Sequence, residues 1–422
     1  MINRLKPKSE FSRNILTLIT GTTIAQAITV VISPILTRIY TPEDFGIFAL
    51  YMSIVCIVAT IATGQYEMAI LLPKKDSDAL HIVILSVLIA FIISLLILII
   101  VFFFNAPITK ILNNEEISKW LYFAPLSIFL IGLYQSLNYW FNRKKYYKTL
   151  AKNKILQTSS TASMNLTMGF SGLGSSGLLL SSIFGQIIAI FFLAKNIQRE
   201  DHIFSKKINR TKTCYLAKKY INCPKFLIAA GFINTLSVQS PVLLLSTFYQ
   251  STVIGFYMLI QRIIGLPMSM IASSVADVFR QKASYEYAHN GECRQTYLVT
   301  FKKLFLLALI PFILFYMIAP DLFSFVLGKE WESSGEYAQL LTPMFFLQFI
   351  TTPLANMFIV AEKQRENLYW QIFSLAIVGS SLLLGGVLFD DIKITFMFFS
   401  TAYSIAYVVN GIMSYKFSKG IE

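Results

Sequence analysis

Charge is scarce in this 422-residue sequence: Asp, Glu, Lys and Arg together make up 14%, against about 25% in soluble domains. That shortage excludes an ordinary soluble enzyme, which could not wet its surface. Acids are scarcer than bases, 22 against 36, for a formal net charge of +14. There are four cysteines and three histidines. Cys56 lies in an apolar run and Cys214, Cys223 and Cys293 in basic loops, a spacing that fits neither a disulfide framework nor a zinc template. No glycine-rich phosphate loop with a following lysine occurs, so no ATPase is built in. Paired acids on a large polar loop are lacking too. The longest candidate outer loop, residues 321–336, carries Asp321, Glu330, Glu332 and Glu336, and reads as a solvated acidic face. No catalytic residue, metal or cofactor is expected, and the positive charge is better explained by membrane topology than by nucleic acid.

Apolar residues are what the chain has in abundance, at 55% of the sequence, with a mean hydropathy of +0.61. A spanning helix needs about 20 apolar residues. Hydropathy predicts twelve spans: 14–37, 45–71, 80–104, 117–140, 152–171, 174–195, 226–248, 252–276, 298–319, 337–360, 367–389 and 393–415. The fifth is diluted by Thr158, Ser159, Ser160, Thr161, Ser163 and Asn165, which suits a face packed on neighbours or lining a wet cavity. Residues 1–13 read as the basic flank of an uncleaved first helix. With the N-terminus inside, thirty Lys and Arg fall on the cytoplasmic side. Only Arg38, Lys110, Lys119, Lys329 and Lys393 fall on the other, and Arg262 sits within a span. A bias of that size orients both termini to the cytoplasm.

The longest cytoplasmic segment follows span six. It predicts an N-terminal six-helix bundle over 1–198, a basic linker over 199–225 and a C-terminal six-helix bundle over 226–422. Residues 205–221 of the linker fit either an interfacial helix held by anionic lipid or a solvated tether. The halves share a pattern: YTPEDFGIFAL at 40–50 and YQSTVIGFYML at 249–259 keep the same Tyr-to-Gly spacing, and Ser33-Pro34 and Ser240-Pro241 stand upstream. Spans one and seven both run outward, so the repeat is parallel, a transporter plan with its substrate site between the halves. The fold class is therefore an all-α membrane protein, about twelve transmembrane helices in two pseudo-symmetric six-helix bundles. Pro34 and Pro241, at matching places, are candidate hinges.

Ionisable groups at membrane depth mark function. Arg262 lies about 15 Å into span eight and offers a planar fork suited to phosphate; the competing role is a structural ion pair. Arg38, at the outer end of span one, is free to snorkel or to pair with Glu43 or Asp44. Glu67 is a candidate proton or cation site, or the partner of Lys74 and Lys75. Asp277 and Arg280 are spaced to pair one turn apart. Gln135, Asn138, Tyr139 and Trp140 cluster at the inner end of span four, before Arg143. Amides bond sugar hydroxyls and rings stack on sugar faces, although Trp140 and the neighbouring lysines equally suit an interfacial belt.

The segments PILTRIYTPEDFGIFAL (34–50) and IATGQYEMAILLPKK (61–75) resemble the opening of the polysaccharide biosynthesis proteins, the Wzx-type O-antigen flippases of the multidrug/oligosaccharidyl-lipid/polysaccharide superfamily. The sharp likeness covers roughly the first eighty residues. It implies a V-shaped, alternating-access transporter with a cationic cavity, seated in the bacterial inner membrane. Such a protein moves an undecaprenyl-pyrophosphate-linked oligosaccharide to the periplasmic leaflet for O-antigen, lipopolysaccharide, capsule or exopolysaccharide. The resemblance makes membrane lipids, a polysaccharide polymerase and a chain-length regulator the expected partners, with no nucleic acid. Gln65 stands where related sequences often have Arg, which shifts the weight of anion binding to Arg262. The competing readings are a cation-coupled drug exporter and an integral-membrane glycan polymerase or glycosyltransferase.

Overall fold

The computed structural model describes residues 10–201, 209–389 and 391–420; the basic segment before residue 10 and linker positions 202–208 lie outside them. Every regular element among the described residues is helical. The chain divides into two compact units, one of residues 1–40 and 47–239, the other of residues 41–46 and 240–422.

The first unit contains α1 (Glu10–Leu36), α2 (Pro42–Ala62) beyond its opening turn, α3 (Tyr66–Ala69), α4 (Asp76–Ile111), α5 (Ile117–Leu121), α6 (Ala124–Arg143), α7 (Tyr147–Phe170), α8 (Ser175–Asp201), α9 (Arg210–Lys219) and the first part of α10 (Ile228–Phe248). The second holds the rest of α10, α11 (Ser251–Ile260), α12 (Leu266–Asn290), α13 (Arg294–Leu327), α14 (Glu332–Leu354), α15 (Met357–Val360), α16 (Gln364–Leu388) and α17 (Ile392–Ser418). Joined across their breaks, these make twelve long segments among the described residues. Ten are long and apolar enough to cross a membrane; α6 and α7 are the other two, more polar. Apolar side chains such as Leu96, Phe102 and Phe103 of α4 stay exposed, as they should on a helix whose solvent is lipid.

Several expected boundaries move. Span two is not one helix: α2 ends at Ala62, and Gly64 (φ 62°) and Gln65 (φ 56°) take consecutive left-handed conformations before α3. Glycine adopts that conformation freely, whereas a side chain there costs roughly 1–2 kcal/mol. Span eight does not stop at 276; α12 continues to Asn290 and is closed by Gly291 at φ 74°. The acidic outer loop at 321–336 is mostly helix as well. α13 runs to Leu327, and Trp331 in the short turn that follows is fully buried, edge-on to Phe45 and Phe256. Glu336 pairs with Lys393 at 2.8 Å.

The linker contains a helix, α9, which starts on Asn209, whose side chain accepts from the backbone N–H groups of Thr211 and Lys212. Leu216 enters the core formed by Tyr66, Trp140 and Phe141, the Tyr66 hydroxyl donates to the Ala217 carbonyl at 2.9 Å, and Lys212 pairs with Asp78. Nearby, Asp76 receives Arg143 at 3.0 Å and Lys144 at 2.7 Å, while Arg143 also donates to the Ile70 carbonyl at 3.1 Å. Because Asp76 is 44% exposed in its side chain, Asp76→Asn is expected to lower stability by no more than about 1 kcal/mol. Thermal unfolding in detergent measures it.

The repeated motif has a geometric counterpart in each unit. In the first, the Tyr40 hydroxyl donates to the Asn165 carbonyl of α7 at 2.6 Å, against Gly169 and Gly177. In the second, the Tyr249 hydroxyl bonds the Thr395 hydroxyl of α17 at 2.6 Å, beside Gly385 of α16. The paired glycines meet within the second unit. A Cβ on Gly46 would lie 1.7 Å from the Ser251 carbonyl oxygen, and one on Gly255 1.8 Å from that of Pro42.

Candidate functional site

In the second unit the candidate chemistry surrounds a π-helical turn, Gln261–Gly265, between α11 and α12. Pro267, in the first turn of α12, has no N–H to return to the preceding turn, so an ordinary α-helical register is disfavoured there. Such one-turn bulges recur at functional sites. Gln261 donates from Nε2 to the Tyr257 hydroxyl at 2.9 Å. Tyr257 stacks on Phe396 at 6.2 Å and meets Phe399 edge-on at 5.8 Å. Phe399 in turn meets Tyr403 at 4.9 Å, and Tyr403 lies parallel to Tyr407 at 5.7 Å. The buried Ser404 hydroxyl, one residue on, has no hydrogen-bond partner. Arg262 belongs to this turn and is half-buried, with its Nε shielded from solvent by protein. A fixed cation, an amide and a row of tyrosines can together receive an oxyanion and sugar hydroxyls.

In the first unit the break at 63–65 places three candidates. Gln65 is buried, donating from Nε2 to the Thr60 carbonyl at 2.8 Å and lying against Gly231 of α10. Glu67 is 4% exposed and accepts a hydrogen bond from the Thr63 hydroxyl. The expected pairing of Glu67 with Lys74 or Lys75 is not formed, because the break turns the carboxylate inward while both lysines stay exposed. Cys223 and Tyr139 lie close enough to feel the Glu67 charge, and the Tyr139 hydroxyl contacts the Met68 sulfur at 3.4 Å. Trp140 and Arg143 face the core and Asp76 rather than a ligand. On the same helix the Gln135 Oε1 is buried without a partner, and Asn138 lies beside the Tyr134 hydroxyl, as does Asn153 of α7.

Asn153 is fully buried, yet neither of its amide atoms completes a hydrogen bond of good geometry. It opens a stripe on α7, Asn153, Gln157, Thr161 and Asn165, at four-residue intervals. Gln157 donates to Gln186 of α8, which donates to the Leu130 carbonyl of α6 at 3.5 Å. That spacing is visible in the sequence, where hydropathy counts these residues only as dilution of a span. Gln261 with Tyr257, and Tyr403 with Tyr407, are likewise four apart and equally silent in a hydropathy profile.

The remaining candidates do not join one cluster. Arg38 is exposed in the turn after α1, at the opposite end of the 21-residue α2 from Gln65, roughly 30 Å away along the helix. Arg262 is in the other unit. Pro34 lies inside α1, and Pro241 inside α10, two residues beyond the last residue of the first unit, Gln239. Asp277 and Arg280 do pair, at 3.2 Å.

Solved structures share the fold. An inward-facing multidrug resistance MATE family transporter of the MOP superfamily superposes with a TM-score of 0.66 at 14% identity, covering 94% of this chain and 93% of its own. The MATE multidrug transporter DinF-BH, solved as a complex, gives 0.64 at 12%, covering 95% and 94%. A MOP superfamily transporter from Pyrococcus furiosus, with a binding pocket described as of reverse polarity, gives 0.60 at 13%, covering 94% and 93%. No curated protein matches the chain in sequence. The family model described as polysaccharide biosynthesis protein matches residues 35–336; this multi-pass membrane protein with a transporter fold belongs to that family.

Proposed function

We propose that the chain is a flippase that carries an undecaprenyl-pyrophosphate-linked oligosaccharide from the cytoplasmic to the periplasmic leaflet for a surface polysaccharide. The observation that carries this reading is Arg262 in a π-helical turn inside an apolar segment of a polysaccharide biosynthesis protein. A diphosphate and a glycan lose their water in hydrocarbon without replacement partners; the Arg262 guanidinium and Gln261 in the second unit are replacements, Gln135 and Asn138 offer amides separately in the first, and the prenyl tail stays in lipid. Arg38 suits release at the outer face. An inside-negative potential favours outward movement of the anion by about 2.3 kcal/mol per charge per 100 mV, with Pro34 and Pro241 as the flexing points. The thirty-to-five distribution of basic residues supports an inner-membrane protein with both termini cytoplasmic.

The test is a deletion strain complemented with this chain. Without it, surface polysaccharide is lost and lipid-linked repeat units accumulate facing the cytoplasm. Full export without the chain, or accumulation of unpolymerised units in the periplasm, would sink the reading; the second result would favour a polymerase. The buried Glu67 supports proton coupling. Glu67→Gln is expected to keep the protein folded but to make export insensitive to collapse of the pH gradient. The measurement is export rate with and without a protonophore at clamped voltage, and an unchanged protonophore response removes Glu67 from coupling.

A further inference from the structure

Lys154 lies seven residues into α7, at the inner end of the fifth span, about 10 Å from the start of the helix. Helical side chains lean toward the N-terminus. With both termini cytoplasmic, that lean and the pull of the inner head groups coincide for Lys154, so a snorkelling lysine would reach back. It does the reverse: its Nζ donates to Gln157 Oε1 at 3.4 Å, one turn deeper. The bond opens a directional chain in which Lys154 donates to Gln157, Gln157 to Gln186, and Gln186 to the Leu130 carbonyl. The chain is held at a tight crossing of α7 and α8, since a Cβ on Gly185 would come 1.9 Å from the Thr161 hydroxyl.

An ammonium has three donors and no acceptor, and Gln157 takes one of them. Among the described residues no carboxylate lies within ion-pair distance of Lys154. The residue is nevertheless exposed and open to an incoming group. A cation aimed into a span, ordered by amides and left without a counter-ion, is built for an oxyanion that arrives from outside the chain.

We infer that Lys154, ordered by Gln157 and Gln186, is an anion-binding site in the first unit that takes an oxyanion of the transported molecule. The oxyanion comes from either the diphosphate or an acidic sugar of the glycan. The inference rests on the flippase reading and adds to it a contact separate from Arg262.

The full chain in lipid nanodiscs is titrated with undecaprenyl diphosphate, undecaprenol and a soluble uronic-acid oligosaccharide. Lys154→Gln weakens binding of the anionic probe about tenfold, the scale of one charge-assisted hydrogen bond with its ionic attraction. It leaves undecaprenol unchanged, and Lys154→Arg retains most of the affinity. Gln157→Glu leaves the lysine in place but supplies an internal counter-ion, so it reproduces the loss even should Lys154→Gln fold poorly. Loss confined to undecaprenyl diphosphate identifies the diphosphate as the source of the oxyanion, and loss confined to the oligosaccharide identifies the sugar acid. Wild-type protein that prefers an anionic probe over undecaprenol, with both variants binding it equally well, overturns the site and leaves the flippase reading standing. Wild-type protein that prefers neither anionic probe overturns that reading as well.

Discussion

Replacing either Gly46 or Gly255 by alanine is expected to remove most folded protein from the membrane fraction. The new Cβ would stand 1.7 or 1.8 Å from a carbonyl oxygen, far inside van der Waals contact, and the obstacle is backbone rather than a side chain that can swing away. Relief requires α2 and α11 to part where they cross, taking Phe45 off Trp331. The loss should exceed about 4 kcal/mol, the range reserved for core disruption. Because both clashes arise at one crossing, the first substitution opens the gap that the second needs. The double variant should therefore be less destabilised than the two singles summed. Gly379, with nothing within 4 Å of its Cβ position, is the control: alanine there should be neutral or stabilising by up to about 1 kcal/mol. Membrane yield, monodispersity and unfolding temperature in detergent report all four proteins. A monodisperse Gly46→Ala variant melting with the wild type would refute the crossing.

Arg262→Gln should reduce export about a hundredfold, near 2.8 kcal/mol at 1.4 kcal/mol per decade, without lowering the unfolding temperature. Holding a guanidinium at membrane depth costs stability, so a neutral amide of similar length should leave the fold as stable or more so. Arg262→Lys keeps the charge but lacks the planar fork, and should retain part of the activity. These readouts separate transport from scaffolding. An arginine kept for a structural ion pair would show the opposite pattern, with a drop of several kcal/mol when its partner is stranded and export falling only in step with protein level. Export is measured as surface polysaccharide per molecule of folded protein.

Much of the fold is legible because lipid imposes a simple code. Spanning length, the alternation of Lys- and Arg-rich loops and the Tyr40–Gly46 and Tyr249–Gly255 motifs identify a two-part, all-helical membrane protein. Hydropathy reports which residues tolerate lipid but not where a helix breaks or how far it runs into water. Hence it carries span two straight through the left-handed pair at Gly64 and Gln65, and ends α12 and α13 early. The outer loop illustrates the same blindness: its acids mark it as solvated, while Trp331 anchors it in the core. Candidate chemistry is less legible. Arg262 stands out because a lone charge interrupts an apolar run. The α7 network is built from Asn, Gln and Thr, which hydropathy averages away although their four-residue spacing defines one helix face. That Glu67 turns inward, away from Lys74 and Lys75, follows from the helix break and from no property of the local composition.

The bulge at Gln261–Gly265 holds one residue more than an uninterrupted α-helix would need across that stretch. Excising Ile263 alone would let α11 and α12 fuse into a continuous rod, gaining the regular ladder that the wider coil forgoes. It would leave the flanking helices close to their present phase, since the surplus residue is absorbed within the bulge, and would reset the bearing of the side chains inside it. Arg262 could then no longer share its present bearing with both Tyr257 and the body of α12. A shortened chain that is sturdier in detergent yet inert in the cell would reveal the surplus residue as an aiming device.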